Sequence, residues 1–296
     1  MTHCLGAGLG LRPAHLRQVL ATRPAVPWFE LHICNYIQGA LNHGLLRELR
    51  EHYPLSFHGV SLNLGGVSPL NIDYLKQLKR LINELEPGLV SEHACFTDHD
   101  GHFFHDLLPV PFSEASVKHM AARIDQVQEL LGRQILIENV SRYYQYDEAS
   151  AGDDQLLEGE FIAAVAEKAD CLILLDLNNA RVNEHNLGES VRQLIDSLPP
   201  ARLGEIHLAG YSESDSLWID SHSAPVCPEL WQLYRDCVER LPELPCLIEW
   251  DSELPAFELL EGQRQQAQSI LDGNYSAVST LPIEAGPENA GSFTNA

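Results

Sequence analysis

The segment Leu172-Ile173-Leu174-Leu175-Asp176-Leu177-Asn178-Asn179 carries the clearest structural signal in the chain. Its four consecutive large apolar residues are typical of a strand that is buried on both faces, as in a parallel sheet covered by helices. The strand is followed by Asp176 and Asn178, which would point to the same side because side chains alternate along a strand. Burial of a carboxylate is costly unless it is paired or bound to a metal ion. The segment therefore predicts a core strand with a polar site at its carboxyl end.

Five other segments repeat this pattern of a short apolar run that ends in His, Glu, Asp or Asn: residues 55–58, 89–93, 135–139, 205–207 and 246–251. Two further short strands, near Gly6 and at residues 28–32, and the intervening segments of helical periodicity give eight strand–helix units. We therefore predict an α/β fold of the (β/α)₈ TIM-barrel type, with one domain over residues 1–273 and a flexible tail over residues 274–296. Active sites of such barrels lie at the carboxyl ends of the strands.

The composition limits the classes of function. With 45% hydrophobic and 21% charged residues, the chain of 296 residues has an ordinary globular composition. Its net charge of −23 argues against a nucleic-acid partner, because phosphate binding relies on a basic surface. Seven cysteines without a CxxC pair are typical of reduced thiols. Because the sequence shows neither a signal peptide nor an apolar run long enough to cross a bilayer, we predict a cytoplasmic protein without a membrane partner.

Ten residues at or after the strand ends have side chains that bind metal ions: His58, His93, Glu138, Asp176, Asn178, His185, His207, Asp220, His222 and Glu249. A catalytic ion needs about three protein ligands, so this set predicts two or three ions. Imidazoles and carboxylates with little thiolate suit iron, manganese or zinc and do not choose among them. Glu138 and Asp176 each have two oxygens and are therefore able to bridge neighbouring ions.

Other polar residues have weaker interpretations. A long polar segment after the fourth strand contains three histidines that we interpret as solvated: His99, His102 and His105. A loop of this length is typical of a substrate cleft. Asp251 shares the face of Glu249, because the two are separated by one residue, and is expected to support that ligand from behind.

Eight short motifs occur in a fixed order: His58-Gly59-Val60, Ser91-Glu92-His93, Asp106-Leu107-Leu108-Pro109, Ile137-Glu138-Asn139, Leu175-Asp176-Leu177-Asn178-Asn179, His207-Leu208-Ala209-Gly210, Asp220-Ser221-His222 and Ile248-Glu249-Trp250-Asp251. Together they resemble the multinuclear non-heme iron-dependent oxidative enzymes, the family that includes the methanobactin-biosynthesis iron enzyme. The resemblance extends from about Gly6 to Glu261.

This resemblance implies a barrel that holds two or three iron ions as Fe²⁺ and Fe³⁺. It implies that dioxygen is used to oxidise a residue, commonly cysteine, of a ribosomally made precursor peptide, which a separate partner protein helps to deliver. The family's ligand positions match nine of the ten candidates, and His185 is the weaker match. Cys34 departs from the family pattern, in which Glu before Asn is common after the second strand. The residues expected to form the catalytic core are Glu138, Asp176, His207 and Glu249.

A different enzyme class remains open on the residues alone. Barrel hydrolases and isomerases of the endonuclease and xylose-isomerase type use two or three divalent ions without redox chemistry. A non-enzymatic metal-binding protein would instead have closed coordination with no position for a substrate. Our first hypothesis is an iron-dependent oxidase of peptide cysteine, and the hydrolase or isomerase is its alternative.

Overall fold

Eight parallel strands close into a barrel, which confirms the predicted fold class. The computed structural model describes residues 6–37, 43–146, 155–241 and 243–274, so the predicted tail lies outside the described residues except for Asn274. In this part of the chain the strands are β1 (Ala7–Gly10), β2 (Phe29–His32), β3 (Leu55–Gly59), β4 (Val90–His93), β5 (Cys95–His99), β6 (His102–Pro109), β7 (Leu136–Glu138), β8 (Leu172–Asp176), β9 (Leu203–Leu208), β10 (Ser212–Ser214), β11 (Leu217–Ile219) and β12 (Cys246–Ile248). The barrel order is β1-β12-β9-β8-β7-β4-β3-β2.

The helices that cover this barrel are α1 (Pro13–Thr22), α2 (Cys34–Ile37), α3 (His43–His52), α4 (Ile72–Leu85), α5 (Glu114–Leu131), α6 (Glu158–Lys168), α7 (Leu177–Leu187), α8 (Val191–Ser197), α9 (Pro228–Arg240) and α10 (Phe257–Leu271). Their ends follow ordinary capping chemistry. Asn71 caps α4 by accepting a hydrogen bond of 3.0 Å from the Tyr74 N–H, and Gly132 ends α5 with φ of 75°. Among the described helices, none is long and apolar enough to cross a membrane.

The barrel strands are buried, which explains their nearly continuous apolar sequences. Every residue of β1, β3, β4, β7 and β12 is buried. Apolar side chains fill the space between the strands and the surrounding helices in one large cluster. The polar exceptions include His58, His93 and Glu138, at or near the carboxyl ends of their strands. The fold therefore places ionisable groups in the barrel interior at one end.

The polar segment after β4 forms a β-hairpin, so its interpretation as a loop is wrong. β5 and β6 pair antiparallel, with His99 opposite His102. Asp100 and Gly101 form the turn with φ of 49° and 77°, the left-handed conformation that a two-residue hairpin turn requires. The Asp-Gly pair is the sequence signal for this hairpin. His105 lies on β6, and a second hairpin, β10–β11, follows the seventh barrel strand.

The segment of residues 172–179 also ends differently from the prediction. β8 stops at Asp176, and α7 begins at the next residue. The Asp176 carboxylate caps this helix by accepting a hydrogen bond of 2.6 Å from the Asn179 N–H. Asn178 therefore lies in the first helical turn, and the strand alternation that we predicted between Asp176 and Asn178 is wrong. Both side chains are nevertheless fully buried at this end of the barrel.

Candidate metal centre

Six of the predicted ligands lie within one residue of the carboxyl ends of six neighbouring barrel strands: His58, His93, Glu138, Asp176, His207 and Glu249. The strand register places His93 beside Glu138 and Asp176 beside His207. Because the carboxyl ends of parallel strands meet at one end of a barrel, these side chains converge in its interior. None of the six is more than 7% exposed.

The first group consists of two imidazoles around one carboxylate. Nε2 of His58 and Nε2 of His93 each lie 3.2 Å from Oε2 of Glu138. On the far side of the rings, Nδ1 of His58 lies 2.7 Å from the Ser91 hydroxyl, and Nδ1 of His93 lies 2.9 Å from the Gly59 carbonyl. The Ser91 hydroxyl donates its own proton to a strand carbonyl at 3.3 Å, so it accepts from His58. Both rings can therefore hold a proton on Nδ1 and present Nε2 to an ion.

The second group shares the same carboxylate. Donor atoms of four residues lie within 4.8 Å of one another: Glu138, Asp176, His207 and Glu249. Nδ1 of His207 lies 3.0 Å from Oε2 of Glu249 and 4.0 Å from Oε1 of Glu138. Ligands of one ion are at most about 4.2 Å apart when metal–ligand bonds are about 2.1 Å, so this group is close to coordination spacing. Because Oε2 of Glu138 faces the first group and Oε1 the second, this residue is placed to bridge two ions.

The third group comes from α7 and from the segment after β11. Oδ1 of Asp220 lies 2.7 Å from the Asn178 side-chain nitrogen and 2.7 Å from Nε2 of His222. The Asp220 carboxylate also accepts a hydrogen bond of 3.0 Å from the Ser141 hydroxyl, and its backbone N–H donates to the Tyr143 hydroxyl at 3.0 Å. The contacts from Ser141 and Tyr143 hold Asp220 beside Asn178 and His222.

Several ionisable side chains in the barrel interior have strongly shifted pKa values. Burial raises the pKa of Asp176 to about 7 and holds the pKa of Glu138 well above its usual value. Burial lowers the pKa of His93, but the carboxylates of Glu138 and Glu92 outweigh it and raise that pKa to about 10. The pKa of His222 is likewise raised well above its usual value, because Asp220 and Glu249 outweigh the effect of burial. Cations bound here would offset the cost of burying the carboxylates as anions.

The hydrogen bonding of these side chains fits bound metal ions. Within the described residues, buried atoms of the three groups that make no hydrogen bond of normal geometry include Asp176 Oδ2 and Asn178 Oδ1. The same holds for Glu138 Oε2 and both ring nitrogens of His222, although Oε2 and Nε2 lie close to other candidate ligands. Buried polar atoms nearly always have a partner, so this concentration needs a physical cause. Nitrogen and oxygen donors without thiolate suit iron, manganese or zinc.

Comparison with known proteins agrees with this geometry. Residues 6–272 match the family model described as RiPP precursor modification enzyme MbnB/TglH/ChrH, where RiPP denotes a ribosomally made and modified peptide. The chain belongs to this family. It is 46% identical over 271 residues to a UPF0276 protein of Acaryochloris marina, covering 92% of this chain and 96% of that protein. It is 40% identical over 266 residues to a UPF0276 protein of Chromobacterium violaceum, covering 90% and 95%. The predicted resemblance to the multinuclear iron enzymes is confirmed.

Solved structures resemble this member of the MbnB/TglH/ChrH family in fold alone. The IOLI protein with a bound zinc atom has a TM-score of 0.59 at 10% identity and covers 92% of this chain and 99% of its own. D-allulose 3-epimerase from Methylomonas sp. has a TM-score of 0.57 at 13% identity and covers 92% and 96%. Endonuclease IV from Thermus thermophilus has a TM-score of 0.55 at 15% identity and covers 90% and 99%. These similarities support the barrel architecture.

His185 lies apart from the other candidate ligands of this family member. Its ring is exposed and stacks in parallel on Trp218 at a centroid distance of 4.0 Å, while Tyr211 stacks on the same indole at 3.9 Å. The separation has a simple cause, because α7 begins after Asp176 and its rise carries His185 about 13 Å along the helix axis. We therefore leave His185 out of the proposed ligand set.

This placement predicts the behaviour of two His185 variants. We expect His185→Phe to keep the stack on Trp218 and to bind as many ions as the unchanged protein, whereas His222→Phe should bind fewer. We expect His185→Ala to lose about 1 kcal/mol of stability through loss of the stack, again with full metal content. Elemental analysis after anaerobic loading and urea unfolding measure these quantities. Loss of one ion in His185→Phe would return His185 to the ligand set.

Sequence reasoning missed two basic residues that contact Glu249. A buried guanidinium nitrogen of Arg12 lies 3.0 Å from Oε1 of Glu249, and Nε2 of His32 lies 2.9 Å from the same oxygen. Arg12 also pairs with Asp251. These contacts leave the other oxygen, Oε2, facing His207. Arg12 follows β1 and His32 ends β2, so only the closed barrel brings them to Glu249.

Cys34, the departure from the family pattern, lies outside these ligand groups. Its sulfur contacts the Tyr74 hydroxyl at 3.2 Å, the Ser61 hydroxyl at 3.3 Å and the Val60 N–H at 3.4 Å. The thiol therefore packs beside the segment that follows β3.

Proposed function

We propose that this protein is an iron- and dioxygen-dependent oxidase that modifies cysteine residues of a ribosomally made precursor peptide. The observation that carries the proposal is the convergence of buried imidazoles and carboxylates at one end of the barrel, several of them with atoms that make no hydrogen bond, in a member of the RiPP precursor modification family. The family supports the peptide substrate, and the donor set supports the metal centre. Iron and cysteine oxidation are the further steps that the experiment below tests.

Each ion would be held by one of the three groups, and Glu138 would be shared by two of them. His58, His93 and Glu138 would hold the first, Glu138, Asp176, His207 and Glu249 the second, and Asn178, Asp220 and His222 the third. Bound iron would supply dioxygen binding and one-electron chemistry, which these side chains do not provide themselves.

The protein's own contribution is to order these ligands before the reaction. Most of them have a second contact that fixes their direction, such as the Ser91 hydroxyl behind His58, the Asn179 N–H behind Asp176 and the Ser141 hydroxyl behind Asp220. Contacts of this kind are worth about 10-fold to 100-fold in metal affinity or activity. The buried position of the first two groups also limits the access of water.

The charge of the protein bears on its partners. A net charge of −23 favours a basic precursor peptide or a basic surface on a delivery protein. We propose that a separate partner protein brings the peptide to the barrel mouth, where β5–β6 and β10–β11 follow two of the barrel strands.

The test is anaerobic loading with Fe²⁺, followed by dioxygen and a cysteine-containing peptide encoded beside the gene, with and without its neighbouring partner protein. We expect a mass change on a cysteine-containing fragment in tandem mass spectrometry. The change should be absent without dioxygen, with a Cys→Ser peptide and with an Asp176→Asn enzyme. Failure to modify any neighbour-encoded peptide would overturn the proposal. Turnover with zinc or manganese in the absence of dioxygen would favour the hydrolase or isomerase alternative.

A further inference from the structure

The imidazole of His207 lies between two sets of carboxylates and is fully buried. Its Nδ1 faces the second ligand group, 3.0 Å from Oε2 of Glu249. Its Nε2 faces away from that group and lies 3.5 Å from Oε2 of Glu30 and 3.5 Å from Oε1 of Glu205.

Strand geometry explains where the two acids come from. Glu205 precedes His207 by two residues on β9, so it faces the same interior, about 7 Å farther from the barrel mouth. Glu30 comes from β2 and accepts a hydrogen bond of 3.3 Å from the Ser56 hydroxyl. Both acids are 0% exposed, and three of their four carboxylate oxygens have no hydrogen-bond partner. They form a layer beneath the metal ligands.

His207 is oriented opposite to the histidines of the first group. His58 and His93 have uncharged acceptors at Nδ1 and present Nε2 to Glu138. His207 has carboxylates at Nε2 and presents Nδ1 to its ligand group. The partner of one ring nitrogen decides which nitrogen carries the proton and which is free to bind an ion.

We propose that Glu30 and Glu205 are positioning residues that hold the Nε2 proton of His207, so that Nδ1 is the atom that binds the second ion. This inference rests on the metal centre of the proposed function. A carboxylate acceptor makes a charge-assisted hydrogen bond and increases the electron density of the ring, which strengthens the bond from Nδ1 to a cation. The contacts of 3.5 Å are longer than normal hydrogen bonds, so a small ring movement towards either acid completes one.

An ion bound directly by Glu30, Glu205 and Nε2 of His207 is the competing arrangement, because these donor atoms also lie within 4.8 Å of one another. One neutral imidazole offers a free nitrogen on one side only. The Nδ1 side offers three further ligand residues, whereas the Nε2 side offers two. The larger ligand set therefore favours an ion on the Nδ1 side.

The first test is anaerobic titration with Co²⁺, followed by its visible absorption and by elemental analysis. The variants are Glu205→Gln, which keeps an oxygen acceptor without the charge, and Glu205→Leu, which removes the acceptor. The matched control is Glu158→Gln, since Glu158 is a buried acid that pairs with Arg142 at 3.1 Å and contacts none of the ligands. Circular dichroism establishes whether each variant is folded. If Glu205→Leu does not fold, Glu205→Gln alone serves as the test.

We expect Glu205→Leu to bind the same number of ions as the unchanged protein, with one of them bound about 10-fold to 100-fold more weakly and with a changed absorption band. The affinity of Glu205→Gln for this ion should lie between those of Glu205→Leu and the unchanged protein. Glu158→Gln should have the affinity of the unchanged protein. Loss of one whole ion in both Glu205 variants would show that Glu205 is a ligand and would overturn the inference. Unchanged affinity in both would overturn it as well.

The second test observes the proton directly. In Zn²⁺-loaded protein labelled with ¹⁵N in histidine, long-range ¹⁵N–¹H spectra distinguish the protonated nitrogen of each ring. We expect the ring that shifts in Glu205→Gln to be protonated on Nε2. A proton on Nδ1 of that ring would overturn the inference. Neither test uses dioxygen or peptide, so an enzyme that binds ions as expected but oxidises no peptide would contradict the proposed function alone.

Discussion

Glu138→Gln should lower the occupancy of two ions at once. Glu138 is the residue whose two oxygens face different ligand groups, with Oε2 3.2 Å from Nε2 of both His58 and His93 and Oε1 on the side of His207. Glutamine has almost the same shape but no charge and only one oxygen, so it cannot bridge two cations. The loss in metal affinity should exceed the roughly 10-fold to 100-fold loss that is typical when a residue that hydrogen-bonds to a metal ligand is replaced.

Anaerobic titration with Fe²⁺ and elemental analysis after desalting measure this loss, and peptide oxidation should fall in parallel. Glu158→Gln serves as the control for removing a buried carboxylate elsewhere in the barrel. Retention of both ions at unchanged affinity in Glu138→Gln would contradict a bridging role.

Arg12→Met should destabilise the metal-free protein by about 3–5 kcal/mol. Arg12 is buried and pairs with Oε1 of Glu249 at 3.0 Å, and its removal leaves that buried carboxylate without one of its compensating charges. Bound cations on the opposite oxygen of Glu249 would partly replace the lost charge. The loss of stability should therefore be smaller in the loaded protein than in the metal-free protein.

Urea unfolding of both forms measures the difference. The matched control is Arg192→Met, because Arg192 is 76% exposed at the side chain and pairs with Asp236 at 3.4 Å, an ion pair of the kind that contributes about 1 kcal/mol or less. Equal destabilisation with and without metal would show that Arg12 acts on the fold and not through Glu249.

The barrel and the convergence of most candidate ligands at one of its ends were predictable because the sequence marks them locally. A run such as Leu172 to Leu175 identifies a buried strand, and a ligand that follows it must lie at the end of the barrel where all such ligands meet. Asn178 was placed correctly at this end although it belongs to a helix, since Asp176 caps α7 and keeps the first helical turn beside the strand end.

Other features depend on long-range contacts that the local sequence does not contain. Arg12 reaches Glu249 only because β1 pairs with β12, and Glu30 reaches His207 only across the barrel interior. His185 lies away from the other candidate ligands for a local reason, because the turn from strand to helix at Asp176 changes the direction of the chain. A capping residue followed by helix-forming residues is the signal that separates it from the ligands.

The order of the proposed ligands along the chain has a consequence for how ions would be acquired. The first ligand, His58, lies on β3, whereas Glu249 directly follows β12, the strand that closes the barrel against β1. A growing polypeptide on the ribosome would therefore lack Glu249 of the second group until β12 has been synthesised and docked. Full loading of the proposed metal centre would therefore follow the synthesis of β12.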